Sequence, residues 1–208
     1  FSEIGLYSGV AATDWSWSAL WMDFDNDGSK DLFVSNGIPR RLNDIDYINY
    51  VSNSEMQQKL QSESLDKKDI DALNKFPQIK IYNKFFRNEG NMQFQDIGNE
   101  IGNDQTTFSN GAIYADLDND GDLDIAVNNI DAPALIYENK TNDKKDPGKN
   151  KDFVEIKLNG SSKNINALGA KIVLYCNGGI RTYEKFPVRG FMSSMETPIH
   201  VGLDKTKI

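Results

Sequence analysis

Apolar side chains in this chain come in short runs separated by polar turns, a strand-like pattern and not a helical one. Ala19-Leu20-Trp21-Met22 and Leu32-Phe33-Val34 flank an Asp-rich stretch, and Ala112-Ile113-Tyr114-Ala115 and Ile125-Ala126-Val127 flank a second one. Such runs, closed by Gly or Asn, suit buried β-strands. Asn36-Gly37 marks a turn after the first pair. Phe85-Phe86-Arg87-Asn88 and Leu135-Ile136-Tyr137-Glu138-Asn139 read as a further strand of each unit, and Met92-Gln93-Phe94 as the strand after the first of these.

The two units are copies. Phe1 matches Phe94, Gly5 matches Gly98, and Asp23-Phe24-Asp25-Asn26-Asp27-Gly28 matches Asp116-Leu117-Asp118-Asn119-Asp120-Gly121, always 93 positions apart. Thr13/Thr106, Ser16/Ser109, Ala19/Ala112, Val34/Val127 and Asn36/Asn129 keep the same register. A fixed offset held without a gap from Phe1 to about Gly37 is a true internal repeat. Because the chain begins inside a repeat, it reads as part of a longer protein. Extra length lies in residues 41–76, which hold no Gly or Pro. There Ile45, Ile48 and Val51 show partial helical spacing, continued less regularly by Met56, Leu60, Leu65, Ile70 and Leu73. The stretch reads as two or three short helices inserted into a β framework, against the alternative of a long irregular loop. Inserts on repeat scaffolds often sit on the binding face, which makes this one a candidate partner surface.

Residues 140–152 are rich in Lys, Asp and Asn around Pro147-Gly148 and read as a linker. A second β-type segment, 153–208, follows. It holds Phe153-Val154-Glu155-Ile156-Lys157-Leu158 and Lys171-Ile172-Val173-Leu174-Tyr175, then a hairpin-like Asn177-Gly178-Gly179 before Ile180-Arg181-Thr182-Tyr183.

Composition narrows the function classes. The 208 residues carry a net charge of −8. That argues against nucleic acid and anionic membranes, both of which select Lys/Arg excess. No apolar run reaches the roughly 18 residues of a membrane span. Cys176 is the single cysteine, so no internal disulfide forms and the redox compartment stays open.

The acid is concentrated in the two copied loops, and its spacing suits calcium, which takes about six to eight hard oxygen ligands. In the first loop Asp23, Asp25 and Asp27 occupy positions 1, 3 and 5, Gly28 turns, the Ser29 carbonyl serves position 7 and Asp31 position 9. In the second, Asp116, Asp118 and Asp120 lead, Gly121 turns, the Asp122 carbonyl serves and Asp124 closes. The expectation is two calcium sites. Magnesium, which wants a tighter octahedron, fits less well, and zinc less still without nearby Cys or His. An EF-hand is a poor match, because position 12 is Val34 or Val127 where that motif needs a bidentate Glu.

These loops, with Phe86-Arg87-Asn88 and the Phe94-Gln95-Asp96 start, resemble FG-GAP (VCBS-type) repeats, the blades of integrin-alpha-like β-propellers. Gly169-Ala170-Lys171-Ile172, Arg189-Gly190-Phe191-Met192-Ser193 and His200-Val201-Gly202-Leu203 resemble the ASPIC/UnbV domain. The combination is similar to the family of bacterial relatives of cartilage acidic protein. The resemblance implies a mainly β fold: a partial β-propeller of about two blades over 1–139 with the helical insertion, plus a small C-terminal β domain. It also implies an extracellular or cell-surface, calcium-binding protein linked to adhesion or ligand binding. Since a closed propeller needs about six or seven blades, this stretch alone does not close one.

An enzyme reading finds little support. His200, the only histidine, sits among apolar residues and favours a structural role. Ser193 and Ser194 lack a nucleophile-elbow pattern. Cys176, at the end of an apolar strand, reads as core or part-buried. The rival reading is the carbohydrate-binding part of a calcium-dependent polysaccharide-degrading enzyme, but hydrolysis needs two carboxylates facing a sugar cleft, whereas these face an ion. Trp15 and Trp17 share one face of an extended segment and favour packing over sugar stacking. Trp21, at the strand end, is expected in the core. The chain therefore reads as a non-catalytic module for a protein or glycan partner that the sequence leaves unidentified.

Overall fold

The computed structural model describes residues 2–40, 43–102, 104–176 and 179–204. Four small antiparallel sheets make the fold mainly β. The first has strand order β1-β2-β3-β4, from β1 (Ser16–Met22), β2 (Asp31–Asn36), β3 (Lys84–Asn88) and β4 (Phe94–Asp96). The second has order β5-β6-β7, from β5 (Ser109–Ala115), β6 (Asp124–Asn129) and β7 (Leu135–Tyr137). The repeat is geometric as well as sequential. The β1/β2 register shifts between Ser16 and Ala19, and the β5/β6 register shifts between Ser109 and Ala112, at the matching positions.

The two sheets pack face to face like neighbouring blades. Alternation along β1 buries Ser18, Leu20 and Met22 on one side. Leu20, Met22, Phe33 and Phe85 meet Ala112, Leu123, Ile125 and Val127 in one core. Phe33 and Phe85 lie edge to face at 5.0 Å, and Tyr137 joins them from the other sheet. The Tyr137 hydroxyl accepts from Asn83 Nδ2 at 3.0 Å and donates to Asp104 Oδ1 at 2.8 Å, so its polar end is satisfied.

Three sequence expectations are corrected here. Trp21 is 45% exposed and packs against Phe94 at 5.6 Å. The two-residue period of a strand turns it to the face opposite Leu20 and Met22. The strand expected over 92–94 starts only at Phe94, because Asn91 and Met92 take positive φ values of 51° and 60° and form the turn. The strand expected over 135–139 ends at Tyr137.

The insertion forms three helices that add no strand to any sheet: α2 (Ile45–Ser52), α3 (Ser54–Gln61) and α4 (Lys67–Asn74). A short α1 (Gly5–Ser8) precedes β1. Each helix of the insertion starts on a side-chain cap. Asp44 accepts from the Asp46 and Tyr47 amides, Asn53 from the Glu55 amide, and Asp66 forms a reciprocal box with Asp69. Phe76 packs against Tyr47 and Tyr50, and Lys59 pairs with Asp69 at 3.0 Å.

In the C-terminal region β8 (Asp152–Ile156) pairs with β11 (Ile199–Asp204), and β9 (Lys171–Cys176) pairs with β10 (Gly179–Glu184). Asn177 and Gly178 of the expected hairpin turn lie outside the described residues. Ile199, Val201 and Leu203 form a small core with Val154, Ile156, Ile172 and Leu174. Cys176 is buried at the end of β9. This region rests directly on the blades. Phe191 packs at a tilt against Trp17, ring centres 4.5 Å apart, and its N–H donates to Ser18 Oγ at 2.9 Å. Arg189 Nη1 donates to the Tyr114 hydroxyl at 3.0 Å, and Met195 enters the inter-blade core.

Candidate metal centre

Both Asp loops are wound by the same pair of left-handed residues. Asn26 and Gly28 have φ of 56° and 87°, and Asn119 and Gly121 have 59° and 91°. Gly, and to a lesser degree Asn, reaches this region at low cost, which lets the loop curl tightly. The curl turns carboxylates inward. Asp23, Asp25 and Asp27 have oxygens within 4.8 Å of one another, and so do Asp116, Asp118 and Asp124.

The backbone holds these carboxylates in place, bond for bond in the two copies. Asp23 accepts from the Asp27 and Gly28 amides at 3.1 and 2.9 Å, and Asp116 from the Asp120 and Gly121 amides at 3.2 and 3.1 Å. Asp25 accepts from the Asp27 amide and Asp118 from the Asp120 amide, both at 3.1 Å. Asp27 takes the Ser29 amide at 2.6 Å, and Asp120 the Asp122 amide at 3.1 Å.

Asp31 and Asp124 act as rivets. Asp31 accepts from the Phe24 amide at 3.0 Å and the Asn88 amide at 2.8 Å, so it joins its loop to β3. Asp124 accepts from the Leu117 and Asn139 amides, both at 2.8 Å. Asp124 also belongs to its converging triple, whereas Asp31 and Asp120 stand outside theirs.

Several contributing residues escape sequence reasoning. Asp122, expected to serve through its carbonyl, also has a side chain that is 0% exposed. Its Oδ2 accepts from the Asn142 amide at 2.8 Å and its Oδ1 has no hydrogen-bond partner. Asn139 Nδ2 donates to Phe24 O at 2.6 Å and Asn142 Nδ2 to Gly121 O at 3.2 Å, so the polar stretch after β7 is laced onto both loops. Lys144 Nζ donates to Asp118 O, and Lys151 Nζ lies 3.8 Å from Asp25. From the C-terminal sheet the Gly202 amide donates to Asp23 Oδ2 at 3.1 Å. A Cβ on Gly202 would lie 2.3 Å from that oxygen, so only glycine permits the approach. The Phe153 ring covers Gly121 and the Arg181 guanidinium covers Gly28 in the same way.

Electrostatics favour a bound cation. Burial, then repulsion from Asp27 and Asp25, pushes the Asp23 carboxyl up to about 7. Burial pushes Asp31 and Asp122 up to about 7 as well. Asp25 is raised by burial and by Asp27, with Lys151 opposing. A divalent ion removes this penalty. The donors are all oxygens, and a 4.8 Å spread matches oxygens on opposite sides of an ion held at about 2.3–2.6 Å. The orphaned Asp122 Oδ1 is a further buried acceptor beside the second triple. The two acidic clusters can therefore each hold a metal ion.

The two side chains weighed for catalysis bond to different partners. The Ser193 hydroxyl donates to Phe191 O at 2.7 Å, while His200 Nε2 bonds Asn26 Oδ1 at 2.7 Å. Burial pushes His200 down to about 4, and its ring stacks on Phe153 at 5.3 Å. Trp17 spends its ring on Phe191 and its Nε1–H on Gly37 O, while Trp15 is half-buried.

Comparison with known families agrees with this geometry. Residues 80–127, which contain the second loop, match the model of an FG-GAP-like repeat. Residues 160–208 match that of ASPIC and UnbV. No curated protein matches the chain. The chain thus joins FG-GAP-like blades, whose first copy repeats the second at 93 residues, to an ASPIC and UnbV region. None of the helices among the described residues is long and apolar enough to cross a membrane.

A pH dependence follows from the raised carboxyls. In the metal-free protein, folded Asp23, Asp31 and Asp122 keep protons up to about pH 7, whereas an unfolded Asp releases them near 3.8. The stability this gives is full below about pH 4 and lost as pH rises through about 7. A cation needs the ionised form, so its affinity falls as pH drops through the same window. The rise in Tm on adding calcium to dialysed protein is expected to be larger at pH 8 than at pH 5.5. His200 runs the other way, burial lowering it so that its contribution is lost as pH falls toward 4. The opposing charge on it is Asp116, so an ion at that loop lowers His200 further and acts in the same direction as the carboxyls. A Tm difference that is flat or grows toward pH 5.5 would contradict the assignment.

Proposed function

We propose that this chain is a calcium-binding, extracellular binding or adhesion module that recognises a protein or glycan partner and is not itself catalytic. The observation that carries the reading is the duplicated oxygen-only loop, with its carboxylates held by the same backbone donors in both copies. Calcium suits flexible all-oxygen sites of high coordination number, and extracellular modules bind it at about 10⁻⁴–10⁻³ M. The FG-GAP-like match supports the binding-module part of the reading. The separate tethering of His200 and Ser193 supports the non-catalytic part.

The test is a binding screen of the whole chain against a glycan array and a panel of extracellular proteins, with calcium and with chelator. Binding that appears only with calcium is the expected result. A glycan hit lost on Trp15→Ala would narrow the partner to carbohydrate. Hydrolysis of a polysaccharide or ester by purified protein, abolished by His200→Ala or Ser193→Ala, would overturn the non-catalytic reading.

A further inference from the structure

The two loops are copies, yet one residue in them has two very different environments. Asn26 and Asn119 hold the same position, four residues into the loop, with nearly the same left-handed φ. Asn119 lies exposed, whereas Asn26 is 0% exposed. The Asn26 Nδ2 donates to Gly121 O of the second loop at 2.8 Å. That contact directs Oδ1 toward His200, so Nε2 of His200 carries its proton and donates to it across 2.7 Å. Two residues along β11, the Gly202 amide grips Asp23 and the Gly202 carbonyl accepts from Arg181, which covers Gly28.

We propose that Asn26 is a positioning residue that couples the two metal loops and the C-terminal strand β11 into one ion-binding unit. The inference rests on the calcium reading above. Asn26 stands between the acidic positions Asp25 and Asp27, and Gly121 stands between Asp120 and Asp122. An ion that orders one loop therefore fixes the amide or the carbonyl that the other loop uses. The second ion then binds to a chain already partly ordered and loses less conformational freedom, which is positive coupling. Coupling is reciprocal, so ions at the loops also strengthen the seating of β11. Within the repeat, Asn119 supplies an internal control with the same backbone but none of these bonds.

The experiment is a calorimetric calcium titration of the whole chain. Asp118→Ala leaves only the first loop competent and Asp25→Ala only the second. The coupling factor is the ratio of each single-site dissociation constant to that of the matching loop when its neighbour is filled. Wild type and Asn119→Gly are expected to show about fivefold coupling or more. Asn26→Gly, in which glycine keeps the left-handed backbone without strain, is expected to lower that factor at least twofold. A factor near one in wild type with two ions bound, undiminished coupling in Asn26→Gly, or equal loss in both glycine variants would overturn the proposal while leaving the calcium reading intact. Absence of calcium uptake by wild type would instead remove the calcium reading. Should Asn26→Gly fail to fold, the factors of wild type and Asn119→Gly still decide whether the loops communicate.

Discussion

Stripping calcium from the folded chain is expected to lower its Tm by about 10–20 °C. An ion that binds only the folded form stabilises it by about 2.7 kcal/mol when present at a hundred times its dissociation constant, and there are two loops to fill. In a domain of this size each kcal/mol moves Tm by about 2–4 °C. The effect reaches the whole fold because each loop is the connection between adjacent core strands, β1 to β2 and β5 to β6. Without an ion, Asp23 and Asp31 sit buried beside other carboxylates, whose repulsion adds to the cost of their burial. Asp25→Ala and Asp118→Ala should each remove about half of the calcium-dependent shift, and the double variant should melt at the same temperature with and without chelator. A wild-type Tm that ignores chelator would contradict this.

Asp31→Ala is expected to destabilise the metal-free protein by about 2–5 kcal/mol, and Asp124→Ala by a similar amount. Asp31 is 1% exposed, and each of its oxygens satisfies a backbone amide, Phe24 on its own loop and Asn88 on β3. Truncation leaves two amides without partners, each worth about 1–3 kcal/mol. Asp124 holds the Leu117 and Asn139 amides in the same way. Asp31→Asn keeps one acceptor oxygen and should cost less than the alanine change. Asp25 differs, since it is half-buried and accepts a single backbone amide, which Asp23 also accepts, and its alanine variant should lose ion binding with little change in metal-free stability. Denaturant midpoints of the metal-free proteins separate the two roles, at unchanged m-value. Equal midpoints for Asp25→Ala and Asp31→Ala would show that the rivet reading is wrong.

What the sequence made legible is what local spacing controls. Alternating carboxylates, one turn-forming Gly and short flanking apolar runs suffice to place both loops between strands, because a strand's period and a glycine's φ are properties of a few neighbouring residues. Hydrophobicity alone assigns Trp21 to the core, whereas its parity along β1 turns it outward. The stretch 140–152 shows no apolar pattern and so resembles a linker. Yet Asn142 and Lys151 attach it through amide and charge contacts that leave no periodic trace. β11 is not among the strands read from the sequence; Ile199, Val201 and Leu203 turn into its small core, and its grip on Asp23 depends on a partner about 180 residues away in sequence. Asn26 and Asn119 are indistinguishable in their loops. Only the packing of Gly121 and His200 around the first separates them.

The most direct measurement is calorimetric titration of the metal-free whole chain with calcium. Uptake of two calcium ions per chain is predicted, falling to one in Asp25→Ala, one in Asp118→Ala and none in the double variant. A flat titration of folded wild-type protein up to millimolar calcium would contradict the account.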